Sequence, residues 1–139
     1  MHMKNIKKHI FALSLISTFF NANAFGYSQE ERIKDMQMME QGLQQMQKGF
    51  LYNNLQDIQK GAELLKKHTA KIEPPVDEKT NTFKKSYAYD LTKREAKKII
   101  KLAEDAVAKY KERRTKQAMN SFAKILKQCM TCHTRIRKW

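Results

Sequence analysis

Apolar residues return every three or four positions through most of the chain, and nowhere do they alternate with polar ones. The first such series is Ile33, Met36, Met39, Leu43, Met46 and Phe50. Three- and four-residue steps collect these side chains on one face of a helix and leave the intervening polar residues on the other. Ser28, followed by Glu30 and Glu31, supplies an N-cap and first-turn acids for that helix. Tyr52-Asn53-Asn54 is a polar stop. A second stripe runs through Leu55, Ile58, Ala62, Leu65 and Ile72, and Pro74-Pro75 ends it because proline cannot continue the backbone ladder. A long connection is predicted from Glu73 to Asp90, holding Phe83, Tyr87 and Tyr89. Thr92-Lys93-Arg94-Glu95 has the form of a capping box, so a third helix is expected to start there and to carry Ala96, Ile99, Ala103, Ala106 and Tyr110. After a charged break at Glu112-Arg113-Arg114-Thr115, the fourth stripe is Ala118, Phe122, Ile125, Cys129, Cys132 and Ile136.

Four amphipathic helices predict an all-α fold, an antiparallel up-down-up-down four-helix bundle. Composition agrees, with only 4 glycines and 2 prolines in 139 residues. Residues 1–24 stand apart from this pattern. Lys4, Lys7 and Lys8 precede an apolar run from Ile10 to Phe20, and Ala22-Asn23-Ala24 follows it. That is the form of a cleaved export signal, too short to span a bilayer. The expected mature chain is residues 25–139, one domain in the periplasm with no integral membrane segment.

The formal charge is +14, from 28 Lys and Arg against 14 Asp and Glu. Such a balance invites acidic partners, nucleic acid or membrane phosphate. Here the cations are spread over nearly every segment with no aromatic-interleaved patch, and export argues against nucleic acid. The charge is read as solvated helix faces that steer the chain towards acidic partners.

Cys129-Met130-Thr131-Cys132-His133 carries the most specific chemistry in the chain. C-x-x-C-H is the pattern of covalent c-type haem attachment. Two thiols three residues apart lie on one helical face and reach both vinyl groups of a porphyrin, and the following histidine becomes the axial ligand. A C-x-x-C pair also suits a disulfide or a thioredoxin-like redox site, but that fold needs strands. Zinc wants a fourth ligand, and beyond His133 only His68 remains in the expected mature chain. His68, beside Lys66 and Lys67, is read as a surface histidine outside the site. No paired carboxylates, catalytic triad or glycine-rich phosphate loop can be assembled, so no enzyme is expected.

A C-x-x-C-H in the last helix of a four-helix chain resembles the class II c-type cytochromes, cytochrome c-prime and its low-spin, methionine-ligated relatives. The likeness extends to Arg32-Ile33-Lys34-Asp35-Met36, where the family often has an arginine four residues before the side chain facing the distal side of the haem. It extends also to Arg137, four residues after His133. The resemblance implies one covalent haem, with His133 proximal, Met36 distal and Arg32 beside it. Bundle geometry is compatible with this. Met36 lies roughly 12 Å along its helix from Ser28, and His133 roughly 9 Å from the C-terminus, at about 1.5 Å per residue. In such a bundle both ends are neighbours. Met39, one turn further in, is the rival ligand, and an open distal position is the third alternative. Leu43, Phe122, Ile125 and Ile136 are expected as further walls, with Tyr87 or Tyr89 over an edge.

These expectations describe a periplasmic electron carrier meeting acidic redox partner proteins, and the resemblance adds a possible homodimer. The alternatives are a five-coordinate cytochrome c-prime that binds nitric oxide or carbon monoxide, and a haem-free exported helical protein with a Cys129–Cys132 disulfide.

Overall fold

A computed structural model describes residues 27–74 and 87–136. The export-signal segment, Phe83, Arg137 and the side chain of Ile136 lie outside the described residues. The described chain is four α-helices: α1 (Gln29–Leu51), α2 (Leu55–Thr69), α3 (Tyr87–Lys111) and α4 (Thr115–Ile136).

The ends of the helices follow from local chemistry. The Ser28 side chain accepts from the Glu31 backbone N–H at 3.1 Å, and the Glu31 carboxylate accepts from the Ser28 N–H at 2.7 Å. This reciprocal pair satisfies two donors that the first turn would leave free. Asn53 takes a left-handed backbone (φ 53°), which asparagine tolerates, and Asn54 caps α2 through its side chain. Arg113 makes the corresponding left-handed turn (φ 61°) between α3 and α4.

Neighbouring helices run in opposite directions. From the mouth of the bundle inwards, Asp35 meets His68, Gly42 meets Gly61 and Leu65, and Gly49 meets Ile58. On α3 and α4, Glu95 and Cys132 line one cavity, and further along Asp105 accepts from the Ser121 hydroxyl at 2.5 Å. α2 and α3 are joined by Lys66–Glu104 at 3.1 Å and by Lys93, whose Nζ reaches the Ile72 carbonyl. The core between them is Met39, Met46, Ile58, Ala62, Leu65, Ile72, Ile99, Ala103, Ala106 and Ile125.

The α1–α2 contact is the tightest. A Cβ placed on Gly61 would lie 2.5 Å from the Met46 nitrogen, so only glycine lets the two backbones approach this closely. α1 and α4, by contrast, do not pack closely along their length. They meet at one end, where Phe50 contacts Phe122 (ring centroids 5.4 Å) and Tyr110 (5.6 Å), and the Tyr110 hydroxyl donates to the Asn53 side chain. At the other end they stand apart.

Three readings of the sequence are corrected. α2 stops at Thr69, and Ile72 is buried beyond its end. α3 begins at Tyr87, so Thr92 and Glu95 sit inside the helix and do not cap it, and Tyr87 and Tyr89 belong to the helix and not to the connection. His68 is buried (8 % exposed) against Asp35 and is no surface residue. Among the described residues, no helix is long and apolar enough to cross a membrane.

Candidate functional site

The gap between α1 and α4 is a cleft of about 750 Å³. It falls within the roughly 300–1,000 Å³ typical of cofactor and ligand sites. α1 contributes Arg32, Met36, Met39 and Leu43, α4 contributes Cys129, Cys132 and His133, and α3 forms the floor with Thr92, Glu95, Ala96 and Ile99. Thr69, Ile72, Glu73 and Pro74 close the top from the end of α2.

All six residues singled out as a site (Cys129, Cys132, His133, Met36, Arg32 and Met39) therefore line one cavity, as does Leu43. Helix geometry accounts for this on each side. Arg32, Met36, Met39 and Leu43 follow one another at three- and four-residue steps on the inner side of α1. Cys129, Cys132 and His133 occupy the last turns of α4, and the antiparallel order of the helices brings those turns beside the first turns of α1. Met39 is 7 % exposed and belongs to the core, whereas Met36 is half-buried at the cleft.

Other expected wall residues lie elsewhere. Ile125 is wholly buried in the core, and Phe122 stacks with Phe50 at the far end. Neither lines the cleft, because each sits at least one turn towards the aromatic end. Tyr87 is exposed, and Tyr89 lies 5.5 Å beneath the Lys93 ammonium, away from the cleft lining.

The thiols are free and shielded. Burial and the neighbouring Cys132 push the Cys129 thiol up to about 11. Burial and the Glu95 carboxylate push Cys132 up as well, against the opposite effect of a hydrogen bond with the Thr92 side chain. This is the reverse of the depressed thiols of redox-active C-x-x-C pairs, which need positive surroundings to hold a thiolate.

Arg32 is held in place by its Nε, which donates to the Glu73 carbonyl at 3.1 Å, and its guanidinium stands 5.9 Å over the Tyr27 ring. That tether uses one of five donors.

Among the described residues, no three His, Cys, Asp or Glu side chains gather tightly enough to hold a metal ion by themselves. The donors in the cleft are instead spread: two thiols, an imidazole and thioethers along its walls, with an aliphatic lining between. Such a set suits a large planar group gripped at its periphery and at its centre. A haem fits these residues: thiols for its vinyl carbons, nitrogen and sulfur for iron, and apolar walls for the ring.

Thr92 and Glu95 are cleft residues that the sequence reading assigned to a cap. The signal lay in their spacing. Thr92, Glu95, Ile99, Ala103 and Ala106 continue at steps of three and four, so the two polar residues extend the inner stripe of α3. No family model, curated protein or solved structure matches the chain.

Proposed function

We propose that the chain is a periplasmic monohaem c-type cytochrome that carries electrons. Cys129 and Cys132 anchor the haem, His133 is its proximal ligand and Met36 its distal ligand. The observation that carries this reading is the meeting of the C-x-x-C-H side chains with Met36 across a single cofactor-sized cleft, though they come from opposite ends of the sequence.

The haem supplies the one-electron ferric–ferrous couple, and Met/His ligation raises its potential as an electron carrier requires. The chain's own residues do the rest. The neutral thiols of Cys129 and Cys132 are held where two thioether bonds to one ring are possible. Leu43, Met39 and Ile99 keep water from the inner part of the cleft. Arg32, fixed by Glu73, offers its free N–H groups to carboxylates at the mouth.

Partner docking is assigned to the outer face of α4. That helix has no acidic residue, and its exposed strip of Met119, Leu126 and Met130 is flanked on one side by Lys116, Lys124, Lys127 and Arg135. An apolar strip with cations along one flank favours an acidic redox partner and gives salt-sensitive association.

The test is the absorption spectrum of protein matured with haem-attachment machinery, oxidised and reduced, with and without carbon monoxide. The expected result is a low-spin spectrum with a sulfur-to-iron band that disappears in Met36→Ala, and little uptake of carbon monoxide by the unaltered protein. A high-spin spectrum with ready carbon monoxide binding overturns Met36 ligation in favour of a gas-binding role. A colourless protein overturns the haem assignment.

A further inference from the structure

Among the described residues, Glu95 Oε2 is a buried carboxylate oxygen with no hydrogen-bond partner, and Thr92, one turn away, has only the Cys132 thiol. Both residues line the cleft, and Glu95 is only 3 % exposed. The other carboxylate oxygen is well served. Oε1 accepts from Lys98 Nζ at 2.8 Å and lies 3.8 Å from Arg94 Nε, and both cations are half-exposed on the outer side of α3. The carboxylate is thus tethered from outside by one oxygen while the other is kept dry and unused. On the facing helix its charge acts on the Cys132 thiol, which lines the same cleft.

Leaving a buried acceptor unpaired is costly, and native proteins rarely do so without a functional reason. This carboxylate lines the same cleft as Cys132 and His133, so its charge is presented to whatever group the cleft holds. Proximity has a second consequence. Reduction of a ferric centre lowers its positive charge by one, so a nearby fixed carboxylate stabilises the oxidised state over the reduced state.

We propose that Glu95 is a potential-setting residue, whose buried carboxylate in the cleft wall poises the cofactor towards the oxidised state. Thr92 completes the polar strip of the α3 wall. The inference rests on the haem reading above.

The experiment is a spectroelectrochemical titration of matured wild type, Glu95→Gln, Glu95→Asp and Lys98→Gln, with Lys101→Gln as an exposed control on the same helix. Glu95→Gln keeps the shape and removes the charge. It is expected to shift the reduction equilibrium about three- to tenfold towards the reduced form, and tenfold corresponds to about 59 mV for one electron. Glu95→Asp stays near wild type. Lys98→Gln strips the counter-charge from Oε1 and moves the potential the opposite way, by more than Lys101→Gln does. Because Lys98 is half-exposed, this arm holds even if Glu95→Gln fails to mature. A coloured wild type whose potential moves in neither Glu95→Gln nor Lys98→Gln overturns the role of Glu95 alone and leaves the haem reading standing. A colourless wild type overturns both.

Discussion

His68 Nδ1 lies 2.5 Å from Asp35 Oδ1, inside the contact between α1 and α2. An ionised carboxylate only accepts, so the imidazole Nδ1 carries the proton. The second carboxylate oxygen accepts from the Tyr27 hydroxyl at 2.7 Å, so all of Asp35 is engaged. Asp35 immediately precedes Met36, and His68 immediately precedes Thr69, another residue of the cleft wall. The pair therefore sets the relative height of two helices where the cleft is built. Removing one partner strands the other in a buried place. Asp35→Asn and His68→Ala are each expected to cost about 3–5 kcal/mol, the range for breaking a buried pair, read from the urea midpoint.

The same cluster gives an acid limit. Burial alone would raise the Asp35 carboxyl, but hydrogen bonds from His68 and Tyr27 and the charge of Lys71 outweigh it and hold the group below its usual range. The unfolded chain then binds this proton at higher pH than the folded one. The stabilisation is complete above the ordinary carboxylate value of about 4 and is lost as pH falls through the lower, folded value. Urea midpoints measured from pH 6 downwards are expected to drop steeply below pH about 4 in the wild type. They should drop less in Asp35→Asn; equal slopes would remove Asp35 as the cause.

Glycine-to-alanine changes inside helices normally stabilise by about 0.5–1 kcal/mol. Gly61→Ala is expected to do the opposite. Its new Cβ would lie 2.5 Å from the Met46 nitrogen and 2.6 Å from the Gly42 carbonyl oxygen, both backbone atoms that cannot swing aside. A loss of about 1–3 kcal/mol in thermal or urea unfolding is the expected outcome, from overpacking that pushes α1 off α2.

The helices were legible because their stripes, caps and stops are local chemistry. Ser28, Asn53, Asn54 and the charged break at Glu112-Arg113 act within a few residues of themselves. The cleft was legible in part because the C-x-x-C-H spacing and the α1 stripe fix which side chains share a face. What escaped was decided by neighbours distant in sequence. His68 looks solvated between lysines, and only the opposing Asp35 makes its burial tolerable. Thr92 and Glu95 match a cap by composition, yet Tyr87 to Leu91 continue the helix backwards and turn that pair into cleft wall. Phe122 and Ile125 lie on the right face of α4, but a turn or more from the cleft, and a helical period carries no information about depth along the axis.

Met36 and Met39 are separable by experiment. Met39 is nearly enclosed in the core, so Met39→Ala is expected to cost about 2–5 kcal/mol of folding stability while leaving the spectrum of the matured protein unchanged. Met36 is half-buried at the cleft, and Met36→Ala should alter the spectrum at a smaller cost in stability of the haem-free chain. Denaturant unfolding paired with absorption spectra for both variants checks this, and a reversed pattern would make Met39 the ligand.

The unequal closeness of the helices gives the bundle the mechanics of an opened book. α2 and α3 form the spine, bound by Lys66–Glu104 and Lys93–Glu73. α1 and α4 are the covers, pinched together along one edge by Phe50 and Phe122. The α1 cover is pressed to the spine backbone against backbone through Gly42 and Gly61, so it has little freedom to roll. Admitting a wide, flat guest such as the proposed haem therefore falls to the α4 cover, which carries the Cys129 and Cys132 thiols. On the proposed reading, a haem fastened to α4 and ligated from α1 would clasp the book shut at the edge opposite the aromatic pinch.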